Sequence, residues 1–80
     1  MDQRLSALAL VKRLTPAEME ALRNLAAGGS LRDLARRLST DIANATETMD
    51  SMKLKLGAVK DVEAVRVALY AGVGLHPRAL

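Results

Sequence analysis

Three helix-start signals within residues 14–57 divide this chain into short helices. Each signal contains a residue whose side chain can accept a hydrogen bond from the helix backbone, and the three are Thr15, Ser30 and the run Ser39-Thr40-Asp41. The first is the most complete, because Pro16 suits the first helical position and Glu18 can close a capping box. These signals predict short helices that pack together. No segment has a convincing strand pattern or hairpin turn.

Glycines mark where two of these helices end, since glycine readily adopts the left-handed cap conformation. Gly28 and Gly29 end the first, and Gly57 ends the third. Apolar residues recur between these limits at helical spacing, which predicts an inward-facing set. Its members are Met19, Leu22, Leu25, Ala26, Leu31, Leu34, Ala35, Leu38, Ile42, Ala45, Met49, Met52 and Leu56. The methionines could instead form a pliable partner surface, although their spacing favours the core.

Two further helices flank this segment. Leu5, Leu8 and Val11 predict one over residues 3–12, and Asp61 is expected to cap another over residues 62–71. The second is apolar on nearly every side, so it should be buried on more than one side. Either a partner subunit or the N-terminal helix could cover its outer face. The residues that we predict for a dimer interface there are Val62, Val65, Val67, Leu69 and Tyr70.

Composition narrows the range of functions. The 80 residues fit one domain, and they include no cysteine and only His76 as a histidine, which argues against metal sites. Tyr70 is the only aromatic residue, so base stacking on aromatic platforms is not available. A net charge of +3 permits nucleic-acid binding. We expect neither an enzyme nor a cofactor or small-molecule substrate, because no catalytic constellation is present.

The expected cellular location follows from two features that the sequence lacks, a secretory signal and a membrane span. The apolar run near the N-terminus is short and is followed at once by Lys12 and Arg13, unlike a secretory signal. No stretch approaches the roughly 18 apolar residues that a membrane span requires. We therefore expect a cytoplasmic protein that makes no membrane contact.

Several sequence fragments occur in one uninterrupted register, and they are Leu14, Thr15, Pro16, Glu18, Leu22, Leu25, Ala26, Gly28, Ser30, Leu34 to Leu38, Lys55 to Gly57, and Glu63 to Val65. Together they resemble the helix-turn-helix domain of LuxR/FixJ/NarL-type bacterial transcription regulators. The resemblance covers about residues 14–73 without a gap. It implies an all-α, four-helix bundle over residues 14–74. The spacing of apolar residues adds an extra N-terminal helix in residues 1–13, and the terminal position of residues 75–80 predicts a frayed tail.

The resemblance also implies roles for particular residues. The helix of residues 42–56 would enter the DNA major groove, and the last helix would mediate dimerisation, with the same chain or with another regulator. Base contacts would come from Asn44, Thr46, Glu47, Thr48 and Ser51. Phosphate contacts would come from Arg32, Arg36, Arg37, Lys53 and Lys55.

One departure from the family pattern opens a second interpretation. The family's Thr-Val-Lys-x-His run is replaced by residues 44–48, Asn-Ala-Thr-Glu-Thr, and the same helix carries Asp50. Affinity for duplex DNA comes largely from neutralising phosphates, so acids on this face oppose it. The alternative is a degenerate helix-turn-helix that serves as a protein-interaction module and modulates a larger transcription regulator without binding DNA itself.

Overall fold

The computed structural model describes residues 3–73 of the chain, with side chains from Leu5 onward, and it contains five α-helices over that range. They are α1 (Gln3–Val11), α2 (Pro16–Ala26), α3 (Leu31–Arg37), α4 (Ile42–Leu56) and α5 (Asp61–Ala71). The described residues form no strand, so the predicted all-α class is confirmed. The tail expected to fray, including His76, lies outside the described residues.

The predicted caps of α2, α3 and α4 are confirmed. At α2 the Thr15 hydroxyl accepts from the Glu18 backbone N–H at 3.1 Å, and the Glu18 carboxylate accepts from the Thr15 N–H at 2.9 Å. Ser30 and Asp33 form the same reciprocal pair at α3. The Asp41 carboxylate accepts from the backbone three residues on at 2.8 Å. Each pairing satisfies backbone donors that a helix start leaves without partners.

The start of α5 differs from the sequence prediction. The helix begins at Asp61, one residue earlier than expected, and Lys60 takes the capping position. Glu63 provides the acceptor, because its Oε1 receives the backbone N–H groups of Val59 at 2.6 Å and Lys60 at 3.1 Å. The carboxylate of Asp61 is instead bonded to the Lys53 ammonium at 2.9 Å.

Packing centres on α4, which contacts α2 and α3, while α5 packs against α2 and α1. Leu22, Leu34 and Met52 are fully buried where these helices meet. Alanines contribute to the same core, and their small side chains allow neighbouring helices to pack closely. The fully buried alanines are Ala21, Ala45, Ala64 and Ala68.

Two residues of the predicted inward set are exposed. Leu31 is 37% exposed and Ile42 is 45% exposed. Each is the first residue of its helix. A helical side chain leans toward the N-terminus of its helix, so a first-turn side chain points past the packed turns rather than onto them.

The helix α1 covers part of α5 within the same chain. Ala7 and Val11 of α1 are buried, and Val67 of α5 packs against the core. Val67 therefore does not lie on the outer surface that we predicted as a dimer interface, because it shares a face with the buried Ala64. Part of that surface remains outside, with Val62, Val65, Leu69 and Tyr70 exposed or half-buried.

None of the described helices is both long enough and apolar enough to cross a membrane.

Candidate nucleic-acid interface

A tight connection joins α3 to α4. The Thr40 N–H donates to the Ala35 carbonyl at 2.9 Å, which closes the last turn of α3. Ser39 has a φ of 55°, the only positive φ at a non-glycine residue among the described residues. The left-handed conformation at this point reverses the chain within residues 38–41 and sets the first turn of α4 beside α3.

The N-terminal half of α4 presents polar groups to solvent. Asn44 and Glu47 are exposed, and Thr46 and Thr48 are half-buried. The Thr46 hydroxyl donates to the Ile42 carbonyl at 2.9 Å, and the Thr48 hydroxyl donates to the Asn44 carbonyl at 3.0 Å. Because both hydroxyl protons are used within the helix, the two threonines are left with acceptor lone pairs and methyl groups to offer a partner.

The C-terminal half of α4 turns two predicted DNA contacts toward α2. The Ser51 hydroxyl donates to Oε2 of Glu18 at 2.5 Å, and the Lys55 ammonium donates to Oε1 of the same carboxylate at 2.8 Å. Ser51 and Lys55 lie one helical turn apart, so one carboxylate reaches both. The sequence predicts Glu18 only as part of a helix cap, and its connection to α4 was not predicted.

Glu18 is charged despite being only 6% exposed. Burial by itself raises its pKa, but the hydrogen bonds from Lys55, Ser51 and the Thr15 backbone more than offset this and lower the pKa to about 2. The carboxylate therefore remains an anion at neutral pH and holds the Lys55 charge close to α2.

Lys53, the other lysine of α4, is held by a different carboxylate. Its ammonium lies 2.9 Å from Oδ1 of Asp61, at the first residue of α5. Both lysines of α4 are therefore paired with acids from other helices. The sequence shows the lysines and the acids, but no helical spacing pairs them, because the partners lie on different helices and are 8 and 37 residues apart along the chain.

The arginines of α3 are less constrained. Arg32 is exposed, and Arg36 is near Asp33 of its own helix at 3.7 Å, an exposed pair of little energetic weight. Arg37 donates to Oε2 of Glu20 on α2 at 2.7 Å. Of the three predicted phosphate contacts on α3, Arg32 and Arg36 thus face solvent most openly, and Arg37 would have to exchange a carboxylate for a phosphate.

The two helices therefore differ in the charge that they expose. Glu47 and Asp50 are exposed on α4, as is Asp41 at its cap, and none of the three takes part in a salt bridge within residues 3–73. On α3 the solvent-facing guanidiniums of Arg32 and Arg36 give the opposite sign. This surface can accept hydrogen bonds along α4 and attract anions along α3.

The turn between α2 and α3 borders this surface and is closely packed. Asn24 is fully buried, and its Nδ2 donates to the Ser30 carbonyl at 3.0 Å. The amide lies directly against the Cα of Gly29. An open cleft of about 470 Å³ beside this turn is lined by Asn24, Gly29, Arg36 and neighbouring residues.

No family model matches the chain, and no curated protein or solved structure is significantly similar to it.

Proposed function

We propose that this chain regulates transcription by binding duplex DNA as a dimer, through a LuxR-type helix-turn-helix made of α3 and α4. One observation carries the proposal. The N-terminal half of α4 exposes polar side chains, among them Asn44 and Glu47, next to a helix whose Arg32 and Arg36 face solvent. Base recognition needs hydrogen-bonding groups on an accessible helix, and positioning on the duplex needs cations beside it.

Each side chain has a defined part in this proposal. Arg32 and Arg36 contact phosphates beside the groove, and α4 lies in the groove itself. Asn44 can pair with adenine, and Glu47 can accept a hydrogen bond from the amino group of cytosine. The threonines of this face add acceptors and methyl groups, and methyl groups suit contact with thymine.

The exposed face of α5 supports the dimer. Val62, Leu69 and Tyr70 are large apolar side chains that are 59%, 55% and 43% exposed. They lie on one side of the helix with the half-buried Val65. A symmetric pair joined through this face would carry two copies of α4, which would meet successive major grooves about 34 Å apart.

A titration against duplex DNA at several salt concentrations tests the proposal. Binding should weaken as salt rises, because phosphate contacts release counterions. Arg36→Ala should flatten the salt dependence by about 0.9 in the slope of log K against log salt, the value expected for one phosphate contact. Arg23→Ala removes an exposed arginine of α2 that belongs to neither the proposed DNA surface nor the proposed dimer contact, and it should leave the slope unchanged. Absence of binding at low salt would reject the proposal.

A second candidate function is favoured by the charges of α4. Lys53 and Lys55 are both paired, and Asp41, Glu47 and Asp50 are not. A helix with this surface suits a protein partner better than a phosphate backbone. The chain would then pair with a larger transcription regulator, through the apolar face of α5, and block it without touching DNA. The two candidates separate on one result: this one requires that wild-type protein fail to bind duplex while it still forms a heterodimer.

A further inference from the structure

We propose that Glu18 and Asp61 limit the affinity of this chain for DNA, because each carboxylate balances the charge of one lysine of α4 and so weakens the attraction of that lysine to phosphates. The inference rests on the proposed function, in which α4 enters the major groove. Its new element is that two acids outside the DNA-contacting helices set how strongly that helix binds the backbone.

Both carboxylate oxygens of Glu18 accept hydrogen bonds from α4. Its two carboxylate oxygens receive Lys55 at 2.8 Å and Ser51 at 2.5 Å, while Oε1 also caps the start of α2 through the Thr15 N–H at 2.9 Å. Glu18 is buried, whereas the Lys55 side chain is 36% exposed. A phosphate could thus reach the Lys55 ammonium, but the Glu18 carboxylate already balances its charge.

The geometry at Asp61 repeats this arrangement on the other side of α4. Oδ1 of Asp61 receives the Lys53 ammonium at 2.9 Å. Asp61 is well exposed, and the helix cap at this end is made by Glu63 instead, so the Asp61 carboxylate has no described partner other than Lys53. The same charge pairing therefore occurs twice, from α2 and from α5.

Pairing these lysines lowers one of the two contributions to DNA binding. Phosphate contacts supply essentially all non-specific affinity, whereas base contacts distinguish one sequence from another. With two cations neutralised, the chain loses affinity for every sequence alike and keeps its base contacts. The ratio of target to bulk affinity is still set by the face that carries Asn44 and Glu47.

Neutral isosteres of the two acids test the inference. Glu18→Gln keeps an acceptor for the Thr15 N–H, since glutamine also serves in a capping box, and removes the charge that holds Lys55. Asp61→Asn does the same for Lys53. Binding of each protein to a short duplex of random sequence is measured across salt concentrations, with far-UV circular dichroism as the check on folding.

Each substitution should free one cation. The expected result is a salt slope steeper by about 0.9 for each variant and an affinity roughly tenfold higher near 50 mM salt. Adding Lys55→Met to Glu18→Gln, or Lys53→Met to Asp61→Asn, should abolish the gain. A merely structural role for the acids would not produce a gain that a lysine substitution removes.

The outcomes separate this inference from the proposed function. Wild-type binding with unchanged slopes in the folded variants would overturn the inference and leave the proposed function standing. Binding by the variants but not by the wild type would support the inference and reject DNA binding by the native chain. No binding by any of the proteins would overturn both. If Glu18→Gln does not fold, the comparison of Asp61→Asn with the double variant Asp61→Asn and Lys53→Met decides alone.

Discussion

Asn24 and Gly29 pack so closely that a Cβ atom on Gly29 would lie 2.3 Å from Oδ1 of Asn24. The amide cannot move aside without cost, because Asn24 is fully buried and bonded to the Ser30 carbonyl. This contact fixes the path of the chain from α2 into α3.

Gly29→Ala should therefore destabilise the fold, by about 1–3 kcal/mol as for other overpacked sites. The free energy of unfolding in urea measures the change. The double variant Asn24→Ala with Gly29→Ala is the control, because the added methyl group then has no amide to meet. If the two substitutions are strictly additive, the clash is not the cause.

Ser39→Gly should stabilise the fold. Ser39 has a φ of 55°, which disfavours a residue with a Cβ atom, and its side chain makes no described hydrogen bond. Relief of the strain outweighs the larger conformational freedom of glycine in the unfolded chain, for a net gain of about 0.5–1 kcal/mol. The midpoint of thermal unfolding should rise, whereas Ser39→Ala should produce no rise. An equal rise in both variants would contradict this explanation.

Acid should weaken the fold through Glu18. Its pKa is lowered from 4.5 to about 2 in the folded state, so its stabilising contribution is present above the unfolded pKa and is lost as pH falls from about 5 toward 2. The contribution at neutral pH is roughly 3 kcal/mol by this linkage. Urea unfolding at a series of pH values measures it.

Glu18→Gln should reduce this acid sensitivity without removing it. Asp33 and Glu63 also have lowered pKa values, because backbone N–H groups at helix starts donate to them. A pH dependence identical to that of the wild type would show that the Glu18 anion is not stabilised as the geometry indicates.

Leu69→Glu should weaken self-association if the exposed face of α5 joins two chains. A charge at the centre of an apolar contact would be buried without a partner, so dissociation should become at least tenfold easier, by about 1.4 kcal/mol or more. Sedimentation equilibrium measures the change. Ile42→Glu is the matched control, since Ile42 is similarly exposed but lies at the start of α4. Equal effects of both substitutions would argue against α5 as the contact.

Local features of this chain could be predicted from its sequence. The caps at Thr15, Ser30 and Asp41 depend on residues three positions apart, and the structure contains all three as expected. The left-handed glycine at the end of α4 follows from the same short-range chemistry, with a φ of 70° at Gly57. These signals fixed the helix limits to within one residue at most of the ends.

Features that depend on distant contacts could not be predicted. Glu18 and Lys55 are 37 residues apart in the chain, and no periodicity connects them. Helical spacing placed Ile42 with the core because it follows the same stripe as Met52, but spacing carries no information on where a neighbouring helix stops. The pairing of Lys53 and Lys55 could not be predicted for the same reason, because the acids that pair with them belong to other helices.

The packing of α1 on α5 has a practical consequence for where this protein can be cut. A fragment that starts at residue 14 retains every residue of the regulator-like segment, yet it lacks Ala7 and Val11, which are buried at that junction. In that fragment α5 would expose to water the apolar side chains that α1 covers in the full chain. The fragment should therefore self-associate more readily than the full chain.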